Sequence, residues 1–193
     1  EDKKQAKVFA KAILHNSERL SDMVSSLLDL TRIEYGELKL NFQNINLNEF
    51  IENFILSISN LSKKKNINIQ YKPSHIGDIN ADPQAIERIL NNLVDNAIKY
   101  SKEDSQIVIS TSNDSDDHIK VMVEDNGPGI SDEDQDYIFG RFFRTASARA
   151  TDNQGSGLGL AIVKHLVNSL NGEVGIDSVP GKGSVFWFTV PKF

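Results

Sequence analysis

Two strand-like runs, QIVISTSN at residues 106–113 and DHIKVMVED at 117–125, are separated only by a polar turn. A parallel connection needs a dozen or more residues, so this pair has to be antiparallel. GEVGIDSV at 172–179 and GSVFWFTV at 183–190 repeat the pattern across a Pro-Gly-Lys turn. Between and before these pairs lie helix-like segments of 15 to 22 residues. Hairpin-length turns between strands, with helices alternating around them, predict an α/β fold. Its sheet is mixed and mostly antiparallel, with helices on one face.

The individual elements follow from periodicity and caps. INLNEFIENFILSISNLSKKKN reads as a helix capped by Asn46, with Glu49 as capping-box partner. INIQYKP alternates Ile67, Ile69 and Tyr71 and reads as a strand. Asp82-Pro83 opens a helix that runs to about Tyr100. A short helix starts at Ser131, with Asp134 completing the cap. Residues 144–156 carry no large apolar side chain and read as a mobile loop. GLGLAIVKHLVNSLN is a helix.

The first part of the chain obeys another rule. Phe9, Ile13, Asn16, Leu20, Met23, Leu27 and Leu30 recur at spacings 4-3-4-3-4-3. That is the seam of a helix packing lengthwise on other helices, and one helix cannot bury it alone. Two units are expected: 1–38, the long helix, and 39–193, the mixed α/β domain.

Composition removes several function classes. The net charge of -6 disfavours a general nucleic-acid binder. The absence of cysteine removes disulfides, Cys-based zinc sites and a Cys nucleophile. His15, His75, His118 and His165 show no metal-ligand spacing. No run is apolar enough to span a membrane.

The helix at 83–100 has an unusual polar face. At about 100° per residue, Asn92, Asn96 and Lys99 fall within roughly 60° of one another, flanked by Arg88 and Asp95. Ile86, Ile89, Leu90, Leu93, Val94 and Ala97 take the opposite side. Asparagine is only a fair helix former, and a solvated face would normally favour Glu, Lys and Gln. Its neutral oxygen suits a hard divalent cation, and a Lys one turn on suits phosphate. The residues alone leave a solvated face and a binding site both open.

Glycine-rich stretches add to this. EDNGPGI follows a strand directly, with Asp125 at its end and Gly127 and Gly129 permitting close approach of a flat ligand. GSGLGLAIVK opens a helix, and Gly155, Gly157 and Gly159 leave bare amides at its start. GKGS joins the last two strands. Familiar nucleotide loops do not fit. GSGLGL lacks the G-x-G-x-x-G spacing, and a P-loop ending at GKGS would need glycine where Ile176 stands.

NNLVDNAIKY, VEDNGPGI, IFGRFFR, GSGLGLAIVK and GKGS, in that order, resemble the five boxes of the sensor histidine kinase nucleotide site. SERLSDMVSSLLDLTRIEYGELKL resembles the second helix of that family's dimerisation hairpin. The resemblance spans essentially the whole chain. It implies the two-layer α/β sandwich shared with gyrase B, MutL and a major heat-shock chaperone, a mixed sheet against three helices.

The resemblance also implies roles. Asn96 would hold Mg²⁺, with Asn92 supporting the hydrated metal. Lys99 and Tyr100 would contact phosphates or ribose of ATP. Asp125 would accept the adenine amine, beside Gly127, Gly129 and Ile130. Phe139, Phe142 and Phe143 would anchor a lid from which Arg144 reaches the phosphates. Gly157, Leu158 and Gly159 would cradle the phosphate tail at the helix start, and Gly155, Leu160 and Ser184 would also belong to the ATP-binding set. ATP-hydrolysing relatives carry a Glu where this chain has Asn92, which cannot act as a base. That fits phosphoryl transfer better than hydrolysis.

The family's acceptor motif, a His followed by an acidic residue, does not occur. His15 precedes Asn-Ser-Glu-Arg and falls off the seam, at an outward position. The expectation is therefore a fragment carrying the kinase domain without its acceptor. The implied partners are a response regulator receiver domain and a second copy joined through the hairpin helices. The implied place is the cytoplasm, with room for a membrane anchor upstream. An anti-sigma serine kinase is the rival within the superfamily, disfavoured by the heptad helix. A degenerate docking module is disfavoured by the complete set of boxes.

Overall fold

The computed structural model describes residues 2–34, 39–63, 65–151 and 155–193. In chain order the elements are α1 (Asp2–Glu34), β1 (Gln43–Ile45), α2 (Leu47–Lys63), β2 (Asn68–Lys72), β3 (Ile79–Ala81) and α3 (Pro83–Tyr100). There follow β4 (Gln106–Asn113), β5 (His118–Asp125), α4 (Asp132–Gln135), α5 (Ala146–Thr151), α6 (Gly159–Ser169), β6 (Val174–Val179) and β7 (Gly183–Pro191).

Five strands form one sheet in the order β2-β4-β5-β7-β6. Both hairpins expected from the short turns are present, β4 with β5 and β6 with β7. β5 and β7 are also antiparallel, whereas β2 and β4 run parallel with α3 in the connection between them. The sheet is therefore mixed and mostly antiparallel.

One face of this sheet supplies Ile107, Ile109, Ile119, Val121, Val123, Phe186, Phe188 and Val190 to the core. Against them pack Leu47, Ile51, Phe54 and Ile58 of α2, the apolar side of α3, and Ile162, Val163, Leu166 and Val167 of α6. A single apolar cluster thus joins three helices to one sheet face.

α3 is held at both ends. The Asp82 carboxylate accepts the amides of Gln84 at 2.8 Å and Ala85 at 3.0 Å, and its other oxygen accepts Asn41 N–H at 2.7 Å. At the far end Lys65 Nζ donates to the carbonyls of Ile98 at 2.9 Å and Lys99 at 2.8 Å. This ammonium satisfies carbonyls the helix leaves open and sits at the negative end of its dipole. Lys65→Met keeps the aliphatic stem and removes the charge. It is expected to lower stability by about 1–3 kcal/mol, read as a shifted urea midpoint. An unchanged midpoint would remove the capping role.

The heptad helix forms, but most of its seam is open. Phe9, Ile13, Leu20 and Leu27 are exposed, while Leu30 is fully buried where the end of α1 packs on α6. Leu14, Val24 and Leu28 extend the exposed apolar face beside the seam. The side chain of His15 lies outside the described residues.

One element was not anticipated and one local expectation is corrected. β1 and β3 pair antiparallel as a separate two-stranded sheet. Strands of three residues show too little alternation to be read from sequence. Residues 144–156 are not a featureless loop, because α5 forms within them. Thr145 Oγ1 accepts the Ala148 amide at 3.1 Å as a cap, and Arg144 Nη2 donates to Ala148 O at 2.7 Å. A lack of large apolar residues excludes a buried helix but not a short capped one rich in alanine.

Candidate nucleotide site

The polar stripe of α3 faces the start of α6 across a cleft of about 240 Å³. Asn92, Asn96, Lys99 and Tyr100 line it from α3. Asp125, Pro128, Gly129 and Ile130 form a second wall at the end of β5. Phe143, Arg144, Thr145, Ser147 and Ala148 cover it from the segment around α5. Gly155, Ser156, Gly157, Gly159 and Leu160 close the third side, and Ile138 and Phe186 supply apolar lining.

Two asparagines present oxygens here in different ways. Asn92 Nδ2 donates to Arg88 O at 2.8 Å, which turns Oδ1 towards α6. That oxygen lies 2.7 Å from where a Cβ on Gly159 would stand, so the missing side chain at Gly159 is what lets it occupy this position. The Asn96 side chain makes no hydrogen bond to the described residues and lines the cleft one turn on. Across from them α6 begins at Gly159 with no side-chain cap bond at its start. Uncapped amides at a helix start attract anions. Among the described residues no three His, Cys, Asp or Glu side chains converge on a preformed metal cage. A cation here would depend on asparagine oxygen, water and a ligand's own phosphates, the arrangement that suits Mg²⁺.

Asp125 is buried at the opposite end of the cleft. Its Oδ1 accepts Gly127 N–H at 2.7 Å. Burial pushes this carboxyl above its ordinary value. The Gly127 and Ser184 amides pull it back only in part, and Glu124 adds to the rise. Beyond these two amides the carboxylate keeps acceptor capacity in a buried setting, where an incoming N–H would bond well. Asp95, beside the α3 stripe, is also raised by burial, against the opposing pull of Lys99. His165 on α6 is lowered by burial and by Arg141 and Lys164.

Gly127, Phe142, Leu158 and Ser184 do not line the cleft. Gly127 stands behind Asp125, and a Cβ there would meet the carboxylate at 2.7 Å. Leu158 is fully buried and points into the core. Ser184 is buried beside Asp125, with its hydroxyl 2.9 Å from that of Ser178. Phe142 is exposed and takes a left-handed backbone at φ 60°, with its amide donating to Gly157 O at 2.9 Å. Its contribution is to pin the two ends of the segment around α5, whereas Phe143 carries apolar contact into the cleft. Among residues that sequence reasoning missed, Phe186 was accessible as an inward position of an alternating strand. Pro128 belongs to a stretch already singled out, while Ser147, Ala148 and Thr145 are placed only by the fold of α5.

A family model described as "Histidine kinase-, DNA gyrase B-, and HSP90-like ATPase" matches residues 81–193. The chain belongs to this ATPase family. The match takes in α3, both hairpins and every segment that lines the cleft. The nucleotide of this ATPase domain is therefore ATP. "Sensor-like histidine kinase SenX3" of Mycobacterium tuberculosis is 34% identical over 192 residues, which are 99% of this chain and 46% of SenX3. The full-length ShkA structure in complex with AMPPNP superposes with a TM-score of 0.81 at 26% identity, covering 96% of this chain and 38% of that one. Histidine kinase ThkA in complex with response regulator protein TrrA gives a TM-score of 0.76 at 28% identity, over 96% of this chain and 51% of that one. The ATPase domain is thus of the sensor histidine kinase type, and the chain spans less than half the length of SenX3. No helix among the described residues is long and apolar enough to cross a membrane.

Proposed function

We propose that this chain is the catalytic part of a cytoplasmic sensor histidine kinase unit that moves the γ-phosphoryl group of ATP to a histidine outside this chain, for relay to an aspartate of a response regulator. The observation that carries this reading is the polarity of the cleft. A buried acceptor, Asp125, stands at one end, and asparagine oxygens with uncapped helix amides stand at the other. An adenine amine and a metal-bound phosphate tail have that same polarity.

Asn96 would hold Mg²⁺ together with the ATP phosphates, Asn92 would support its hydration, and Lys99 and Arg144 would offset phosphate charge. The ion would supply charge neutralisation of the transferring group. The bond from γ-phosphorus to the bridging oxygen breaks, a phosphorus–nitrogen bond forms, ADP leaves, and the imidazole proton passes to solvent. Asn92 has no basicity with which to activate water, so a good nucleophile is favoured over hydrolysis. The open seam of α1 supports docking with a hairpin partner and pairing with a second copy.

Two measurements test this. Asn96→Ala should abolish the part of ATP affinity that depends on Mg²⁺, read by calorimetry with and without the ion. Equal binding in both conditions by the unmodified chain would sink the metal role. In the second, the chain is mixed with a hairpin protein that carries an acceptor histidine but a dead nucleotide site. Label transferred to that histidine should be acid-labile and base-stable. Acid-stable label on serine or threonine would favour the anti-sigma type of kinase instead.

A further inference from the structure

The wall that carries Gly129 and Ile130 is not self-supporting. It is fastened from behind by the β6–β7 hairpin, through side chains that do not line the cleft. The Ser178 hydroxyl accepts Ile130 N–H at 2.9 Å and donates to Gly183 O at 2.8 Å. With its one proton used on Gly183, it must accept from the Ser184 hydroxyl at 2.9 Å, so its donor and both lone pairs are all engaged. Gln135 Nε2, from α4, bridges two carbonyls, Ile130 O and Ser178 O, both at 3.0 Å. The hairpin backbone adds a bond from Gly181 N–H to Pro128 O at 2.6 Å. Gly129, at φ +70°, passes so close that a Cβ would lie 2.1 Å from Val179 O.

The consequence for recognition is geometric. Asp125 is fixed by its own strand and by Gly127, whereas Ile130 is fixed by Ser178 and Gln135. A planar base held between them is read correctly only if the two supports keep their spacing. Shifts of a few tenths of an ångström at such supports are enough to loosen a bound ligand's alignment. We propose that Ser178 and Gln135 are positioning residues for base selectivity, setting Gly129 and Ile130 against Asp125 so that adenine is preferred over guanine. This rests on the adenine reading of Asp125 given under the proposed function.

The test compares ATP, GTP and inorganic triphosphate, each with Mg²⁺, on the unmodified chain and on Ser178→Ala, Ser178→Thr and Gln135→Met. Ser178→Ala is expected to lose about five- to tenfold in ATP affinity, with GTP and triphosphate unchanged, so the ATP-to-GTP ratio falls. Ser178→Thr, which keeps the hydroxyl, should restore the ratio, and Gln135→Met should lower it in the same sense. Equal loss on all three ligands would mean a general structural role and would overturn the proposal, as would an unchanged ratio in both Ser178→Ala and Gln135→Met. Amide exchange at Ile130 gives a readout without nucleotide. Protection in the unmodified chain that drops in either variant while the β5 core stays protected supports the staple, and unchanged protection in both refutes it. If the unmodified chain itself does not prefer ATP, the adenine reading has failed first. That outcome is distinct from a failure confined to the variants.

Discussion

Replacing Asp125 by asparagine is expected to lower ATP affinity by about tenfold to a hundredfold while leaving the fold intact. The side chains are nearly the same size, so packing is kept. Oδ1 can still accept the Gly127 amide, now at 2.7 Å from the carboxylate, and that bond decides which way the new amide is turned. The second oxygen becomes an NH₂ group, which meets the adenine amine donor to donor. Guanine presents a carbonyl at the same point, so GTP should gain relative to ATP. Titration of both nucleotides checks this, and an unchanged ratio would remove Asp125 from base recognition. The same variant has a pH signature. The carboxyl of the folded protein lies above its ordinary value because it is buried. Between the two values the folded state holds a proton that the unfolded chain has released. The native protein therefore loses stability as pH rises through that window, and the loss is constant above it. Asparagine has no such loss. The stability of Asp125→Asn minus that of the unmodified chain should rise across the window and then level off.

Gly157→Ala is expected to disable the cover of the cleft. Gly157 has φ +71°, and a Cβ there would lie 2.8 Å from the Phe142 carbonyl carbon and 2.9 Å from its Cα. Those are backbone atoms and cannot swing aside. Left-handed strain of about 1–2 kcal/mol adds to the overlap. The chain should relieve both by breaking the bond from Phe142 N–H to Gly157 O, which releases the segment between them. We expect nucleotide affinity to fall by at least about tenfold, with faster amide exchange at residues 142–151 and little change in the sheet. Wild-type affinity in this variant would refute the pinning role. Gly159→Ala is a useful contrast. Its Cβ meets only the Asn92 side-chain oxygen at 2.7 Å, which can rotate away. The backbone should survive, and the loss should fall on the Mg²⁺-dependent part of binding.

Legibility from sequence followed the strength of local signals. α3 was readable end to end because Asp82, Pro83 and a long apolar stripe agree. The hairpins were readable because a short turn leaves one way to pair. The partner of α1 was not, since a seam announces a need for contact without saying where it is met. That Leu30 is the seam residue fully buried, where α1 packs on α6, is a tertiary fact. In the cleft, Asn92 and Asn96 stood out because asparagine is only a fair helix former, Lys99 because it shares their stripe, and Asp125 because it ends a strand before a glycine-rich turn. Phe142 was assigned with its neighbours by motif, but its left-handed backbone sends the side chain outward. The fastening of Ile130 by Ser178 was invisible, because it joins residues 48 apart.

The sheet order has a consequence for how the protein is made. β7 lies between β5 and β6, and β6 pairs with no other strand of the sheet. During synthesis β6 leaves the ribosome first and waits as an unpaired edge until β7 follows. Asp125 has its neighbour Ser184, and Ile130 its Ser178 with Gly183 in place, only after that insertion. The Asp125 end of the cleft is therefore the last part to be completed, although Asp125 itself is translated well before. A chain stalled before Gly183 would expose both β5 and β6 as open edges, the kind of surface that pairs with other chains.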